Sequence, residues 1–182
     1  MTIAFTGVHK PYGWLGNMSP HPVRWLGLDW PRAEHLFQAL RLPEGHPSRE
    51  MIRQTANPMI AKRLARAIPE SQLRFPRLSE QDLESMRLVL RLKFAQHPDL
   101  AASLLSTGDT HLVEDCSSRP HGSGLFWGAK AAGNGGWIGE NRLGRMLMDL
   151  RAELRLASAA AEAVVDLALE TKERNRLAGV PR

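Results

Sequence analysis

Lys93 and Glu34 are the residues whose type and spacing point most directly to chemistry. Met86 and Leu90 mark the apolar side of a helix read over Ser79–Gln96. At about 100° per residue, seven steps from Met86 return almost to the same direction, so Lys93 points inward with them. An interior lysine loses hydration, its pKa falls, and a neutral amine becomes available as a nucleophile. The competing reading is a packed stem whose ammonium reaches water, and the spacing alone favours that second reading. Glu34 falls in the first turn of a helix opened by Pro31, beside the Ala33/Leu36/Phe37/Leu40 face, on a flank continued by Gln38 and Arg41. A carboxylate there can stabilise positive charge developing on a sugar or activate a water. It also suits a helix N-terminus for dipole reasons alone. Glu114 and Asp115 close a short apolar strand and lead into a glycine-rich stretch, where carboxylates either line a cleft or sit solvated in a turn. Trp127, inside that stretch, is the tryptophan best placed to stack on a base.

These groups need a frame, and the pattern supplies a mainly helical one with a few short strands. Ile3 and Phe5 alternate as a weak strand, and Val23–Trp30 suits a short hairpin around Gly27. Helices are expected from Pro31 to about Leu42, over Ser48–Thr55, and over Pro58–Ala67 with Asn57 as cap. The Ser79–Gln96 helix opens with Ser79 and Asp82 spaced like a capping box, and Pro98–Leu105 follows. Leu112–Glu114 reads as a strand, and residues 115–139 as one long loop containing Phe126 and Trp127. A helix capped by Asn141 carries Leu143, Met146, Leu147, Leu150 and Leu154 on one side and continues to about Lys172, with 173–182 frayed.

The length of 182 residues suits one domain. Cys116 is the single cysteine, which excludes a disulfide-stapled scaffold and leads to an expectation of a cytoplasmic, reducing compartment. No apolar run is long enough to span a bilayer, so no membrane association is expected. The formal charge of +5 comes mostly from arginine, which suits bidentate phosphate contacts or simply a solvated basic surface. No cysteine or histidine spacing supports a metal site, and neither a phosphate-binding glycine loop nor a GxSxG elbow is present. The expected chemistry uses no metal or cofactor and is built from Glu, Lys and aromatic side chains.

Five blocks then occur together in a fixed order. They are DWPRAEHLFQALR (Asp29–Arg41), TANPMIAKRLAR (Thr55–Arg66), MRLVLRLKFAQHPDL (Met86–Leu100), the pair LVED and FWG, and GENRLGRMLMDLR (Gly139–Arg151). In this order and spacing the chain resembles the NADAR (YbiA-like) family over residues 1–155, leaving 156–182 as a helical extension or tail. The resemblance implies a single compact, mostly helical domain and N-glycosidase activity. Family members cleave ribosyl–base bonds of early riboflavin-pathway intermediates or remove ADP-ribose from guanine in nucleic acid. It implies Glu34, Lys93 and Glu114 as catalytic residues, with a Schiff-base lysine. It further implies Asn17, Lys62, Arg63, Trp127, Gly128, Asn141 and Gly144 as substrate-binding positions. Lys62 is a rival to Lys93 as the reactive amine, or else a phosphate contact.

Two departures from the family pattern stand out. Gly124 occupies a position that is aspartate in many members, with Asp115 as the nearest substitute, and no tryptophan lies between Pro31 and Phe126. The expected substrate is ADP-ribosylated guanine in nucleic acid, with a phosphoribosylated small molecule as the alternative. A non-catalytic ADP-ribose or nucleic-acid reader is the alternative of another class.

Overall fold

The structure is a computed structural model; it describes the backbone of residues 1–177 and side chains through residue 161. In chain order the elements are β1 (Thr2–Phe5), a 3-10 turn (Gly13–Leu15), β2 (Val23–Trp25), β3 (Leu28–Trp30), α1 (Ala33–Leu40), α2 (Pro47–Gln54) and α3 (Pro58–Arg66). A second 3-10 turn (Glu70–Gln72) leads to α4 (Glu80–Gln96), α5 (Pro98–Ser106), β4 (His111–Glu114), α6 (Ser123–Trp127), β5 (Lys130–Ala131), β6 (Trp137–Ile138) and α7 (Arg142–Leu177). The mainly helical, single-domain architecture is the one expected.

Helix α1 is the hub. All eight of its residues are buried, and α2, α3 and α4 pack around it. Leu36 and Phe37 fill the core with Leu83, Met86, Val89 and Leu90 of α4. Each such side chain contributes about 1.5–3 kcal/mol on burial. The flank of α1 carrying Glu34, Gln38 and Arg41 is buried as well, so these polar groups must find partners inside the protein.

Local signals explain most element boundaries. Pro47, Pro58 and Pro98 stand in the first turns of α2, α3 and α5, where the missing N–H is not needed. Asn57 Oδ1 accepts from Met59 N at 2.9 Å, the expected cap of α3. Ser79 caps α4 by accepting from Asp82 N, but Asp82 does not complete the box. Its carboxylate accepts from Leu78 N and is held by Arg41 instead, because a buried guanidinium is the stronger partner.

Two expectations are corrected, and one strand pairing is added to them. Residues 115–139 are not one loop: they form the short helix α6 and the β5–β6 hairpin, and Phe126 and Trp127 lie on α6. β1 pairs with β4 in parallel, Phe5 opposite Glu114, across more than a hundred residues. Backbone α7 runs to Leu177, past the expected end at Lys172 and into the segment read as frayed; residues 178–182 lie outside the described residues. No helix of the structure is long and apolar enough to cross a membrane, among the described residues.

Candidate active site

Glu34 is the end of a buried polar chain. Asn17 Nδ2 donates to its Oε2 at 2.5 Å, and Gln38 Nε2 donates to its Oε1 at 2.8 Å. Gln38 Oε1 in turn accepts from Arg41 Nη1 at 2.7 Å. Arg41 completes the chain through a two-pronged contact with Asp82, Nε to Oδ1 at 2.7 Å and Nη2 to Oδ2 at 2.8 Å. Asp82 thus anchors Arg41, Arg41 orients Gln38, and Gln38 orients Glu34. Burial pushes the Glu34 carboxyl above its ordinary value, while Lys62, Arg41 and the two amide donors oppose that push.

Glu114 lies near enough to Glu34 and Lys62 to feel both charges. It ends β4, and its carboxyl is pushed up to about 7, first by burial and then by the nearby Glu34 charge, against the pull of Lys62 and Arg119. The strand is braced from α7. Asn141, at a left-handed φ of 49°, donates through Nδ2 to Leu112 O at 2.8 Å and accepts at Oδ1 from Glu114 N at 3.0 Å. A Cβ on Gly144 would stand 2.3 Å from Leu112 O, and one on Gly128 would stand 2.3 Å from Glu114 O. Both glycines therefore allow backbone to close around β4.

The resemblance implied substrate contacts for Asn141, Gly144 and Gly128; the structure engages them in holding Glu114. The simple N-cap reading of Asn141 is corrected, since its side-chain amide serves the strand and not the first turn of α7.

The two lysines separate cleanly. Lys93 is fully buried alongside Met86 and Leu90: the inward stem is the one its spacing implied, and the favoured reading of an ammonium reaching water is corrected. Its Nζ donates to Trp14 O and Gly16 O, the latter at 2.9 Å, and lies 5.2 Å from the centre of the Phe94 ring. Burial lowers its pKa to about 7. The charges felt by Glu34 are those of Lys62 and Arg41, and those felt by Glu114 are Lys62, Glu34 and Arg119. The amine brought to the carboxyls is thus Lys62 of α3. The α4 face that buries the Lys93 stem directs its tip to backbone carbonyls of the 14–16 segment, and no carboxylate is among its hydrogen-bond partners in the described residues.

Lys62 also lines an open groove with Asn57, Met59, Ile60, Arg63 and Arg66. That lining holds three cations and no acid, a composition suited to phosphate. Trp127 stands edge-on to Phe37, with centroids 5.5 Å apart, and to Phe126 at 5.0 Å. It is half-buried and packed against the core, so it serves the wall of the site as well as any stacking role. Gly124 has no room for the family aspartate, since a Cβ there would meet Arg119 O at 2.3 Å. Asp115 turns to its own loop, accepting from Ser117 N at 2.8 Å.

Sequence reasoning missed Gln38, Arg41 and Asp82 as supports of Glu34, and Arg119 as a cation near Glu114. For the first three a signal existed. Gln38 and Arg41 follow Glu34 at four and seven residues, one helical flank, and the Asp82 spacing imitated a cap. Arg119 gave none.

Comparison with known proteins places these residues in context. The model of the NADAR domain matches residues 4–155. The N-glycosidase YbiA of Shigella boydii is 36% identical over 155 residues, covering 85% of this chain and 89% of that protein. The N-glycosidase Npun_R5314 of Nostoc punctiforme is 34% identical over 157 residues, covering 85% of this chain and 94% of that protein. The riboflavin biosynthesis protein VVA0006 of Vibrio vulnificus is 34% identical over 155 residues, which are 84% of this chain but 38% of that longer protein. The NMR structure of the E. coli protein YbiA superposes with a TM-score of 0.70 at 35% identity, covering 87% of each chain.

Proposed function

The chain belongs to the NADAR domain family, and on that premise we propose how its residues carry out N-glycosidase chemistry and on what substrate. The observation that carries the reading is the meeting of two desolvated carboxyls, Glu34 and Glu114, with Lys62 acting on both. Paired carboxyls with raised pKa values divide acid and base work between them.

Their surroundings assign the roles. Burial raises the Glu34 carboxyl, and the amide hydrogen bonds at both its oxygens, with Lys62 and Arg41, oppose that push; the reading gives it the ionised role. Glu114, titrating at about 7, holds a proton near neutrality and is the general acid. It protonates the departing base nitrogen as the C1′–N bond breaks and the bonding pair leaves with the base. Glu34 stabilises the positive charge left on the sugar. Lys62 gives an ammonium proton to a carboxylate, its nitrogen then bonds to C1′ and sheds a second proton, and opening of the sugar ring, with the ring oxygen taking up a proton, yields an imine. Water then adds to that imine carbon, and the sugar departs with Lys62 restored. Trp127 borders the base, and Arg63 and Arg66 hold phosphate oxygens.

The substrate that fits is ADP-ribosylated guanine in nucleic acid. Its support is the cationic groove lined by Lys62, Arg63 and Arg66, whose charge suits the several phosphates of such a substrate. A phosphoribosylated riboflavin precursor is the second reading, favoured by the name of the Vibrio relative.

The test incubates the full chain with an ADP-ribosylated guanine oligonucleotide and, separately, with a phosphoribosylated aminopyrimidine, and measures free base. Release from the oligonucleotide, its abolition by Lys62→Ala, and a borohydride-trapped adduct on Lys62 are expected. On the oligonucleotide, Arg63→Ala with Arg66→Ala lowers the slope of log affinity against log salt by about 1–2. Release from the small molecule alone moves the assignment to the second reading. Binding with no base released from either substrate overturns the catalytic reading in favour of a reader. An adduct on Lys93 overturns the role given to Lys62.

A further inference from the structure

Lys93 is a buried titratable group that this chemistry leaves unused. Among the described residues no acid is a hydrogen-bond or ion-pair partner of its Nζ; His21 feels its charge, together with those of His97 and Arg32. Burying an ammonium among cations and apolar side chains adds little to the fold, because a hydrophobic residue of the same size avoids the desolvation. What Lys93 does supply is location.

Its Nζ gathers the carbonyls of Trp14 and Gly16, residues 79 and 77 positions earlier. The same segment is fixed at its other carbonyls. Arg32 Nη1 donates to Met18 O at 2.6 Å, and the backbone N–H of Glu34 donates to Asn17 O at 2.9 Å. Ser19 Oγ donates to Trp14 O at 3.3 Å. Residues 16–19 belong to no helix or strand, so these donors replace the ladder that regular structure would give. The residue they frame is Asn17, whose amide reaches Glu34.

We infer that Lys93 is a positioning residue: it pins the 14–18 segment so that the Asn17 amide meets Glu34 and holds that carboxylate for catalysis. The catalytic consequence rests on the role proposed for Glu34. The positioning itself does not, and it is read without turnover. Lys93 and Lys62 then have different tasks, one amine shaping the site from behind and one working inside it.

The experiment follows the full chain by NMR. In the wild type, the Leu15 and Asn17 amides share peptide groups with the two carbonyls, and their shifts are expected to titrate with the Lys93 Nζ. Lys93→Gln is expected to speed amide exchange over residues 13–19 by roughly 10- to 100-fold, the loss of one charged hydrogen-bonded anchor. It should also move the titration of the Glu34 side-chain carbon upward, as Asn17→Ala does, with the double variant no different from Asn17→Ala alone. Besides burial, the groups that act on that titration are Lys62, Gln38, Arg41 and Asn17, and the Glu34 charge is felt in turn by Glu114; all are retained in Lys93→Gln.

On whichever substrate releases base, Lys93→Gln lowers kcat more than it changes KM and still gives the borohydride adduct on Lys62. If Lys93→Gln does not fold, the wild-type titration decides alone. Amides of Leu15 and Asn17 indifferent to Lys93, an unmoved Glu34 titration, or additive effects of the two substitutions would overturn the inference. If neither substrate releases base, the NMR arms still judge the positioning, and only its use in catalysis falls.

Discussion

Replacing Glu114 by glutamine should make the protein more stable and less active, with the gain confined to one side of the pH scale. The wild-type carboxyl ionises near 7 in the fold, against an ordinary value of 4.5. Below 4.5 it is protonated whether the chain is folded or not, and contributes nothing adverse. Between 4.5 and about 7 the unfolded chain has given up the proton and the folded chain still holds it, so stability falls as pH rises. Above 7 the whole penalty is present. At about 1.4 kcal/mol per pH unit the interval corresponds to about 3 kcal/mol, an upper figure because the Glu114 side chain keeps some contact with solvent. Glutamine has the same shape and no charge to desolvate, so Glu114→Gln should match the wild type at pH 4 and exceed it by about 2–3 kcal/mol at pH 8.

Urea unfolding across that range is the assay, with an unchanged slope and a shifted midpoint. Heating at pH 8 should show a Tm higher by roughly 5–10 °C. Base release should drop steeply at every pH because the acid is gone. A variant equal to or weaker than the wild type at pH 8 would refute the reasoning, since it would show that the carboxyl ionises without strain. The residual dependence in the variant belongs to Glu34, raised by burial, and to Lys93, His21 and His35, lowered by it.

Two further outcomes follow from the supports of the site. Asp82→Asn leaves the buried Arg41 guanidinium without its counter-charge, and should destabilise the fold by about 3–5 kcal/mol as read by denaturant titration, with loss of base release because Gln38 and then Glu34 lose their orientation. Gly144→Ala forces a methyl group against Leu112 O and should cost about 1–3 kcal/mol or more. If it folds, Glu114 is displaced and turnover falls further than stability does, measured by parallel melting and kinetics.

How much of this was legible beforehand depends on the range of the interaction. The inward face of Lys93 followed from one turn-counting argument on α4, and the cap at Asn57 from two adjacent residues, because both are local. The carbonyls that receive Lys93 lie 77 and 79 residues away in sequence, and nothing in α4 indicates them. The neighbourhood of Lys62 was equally hidden. Its helix presents Ala61 and Ala65 to the core, and only the packing of α3 on α1 brings the intervening lysine to Glu34. The family blocks marked Asn141, Gly144 and Gly128 as important without saying why; the physical reason is backbone approach, which a one-dimensional pattern does not encode. The Ser79/Asp82 spacing misled because a local capping signal was overridden by a guanidinium from another helix. The glycine-rich 115–139 stretch misled because glycines that permit tight packing look the same as glycines that permit a loop.

The parallel pairing of β1 with β4 has a consequence for how the protein matures. Phe5 and Glu114 are neighbours across that ladder, and the brace on Glu114 comes from still later, at Asn141 and Gly144. A ribosome must therefore release most of the domain before Glu114 has a fixed address, while Glu34 and Lys62 can meet much sooner. The nascent chain assembles one wall of the site ahead of the other, and the closing of the last long-range contact completes it.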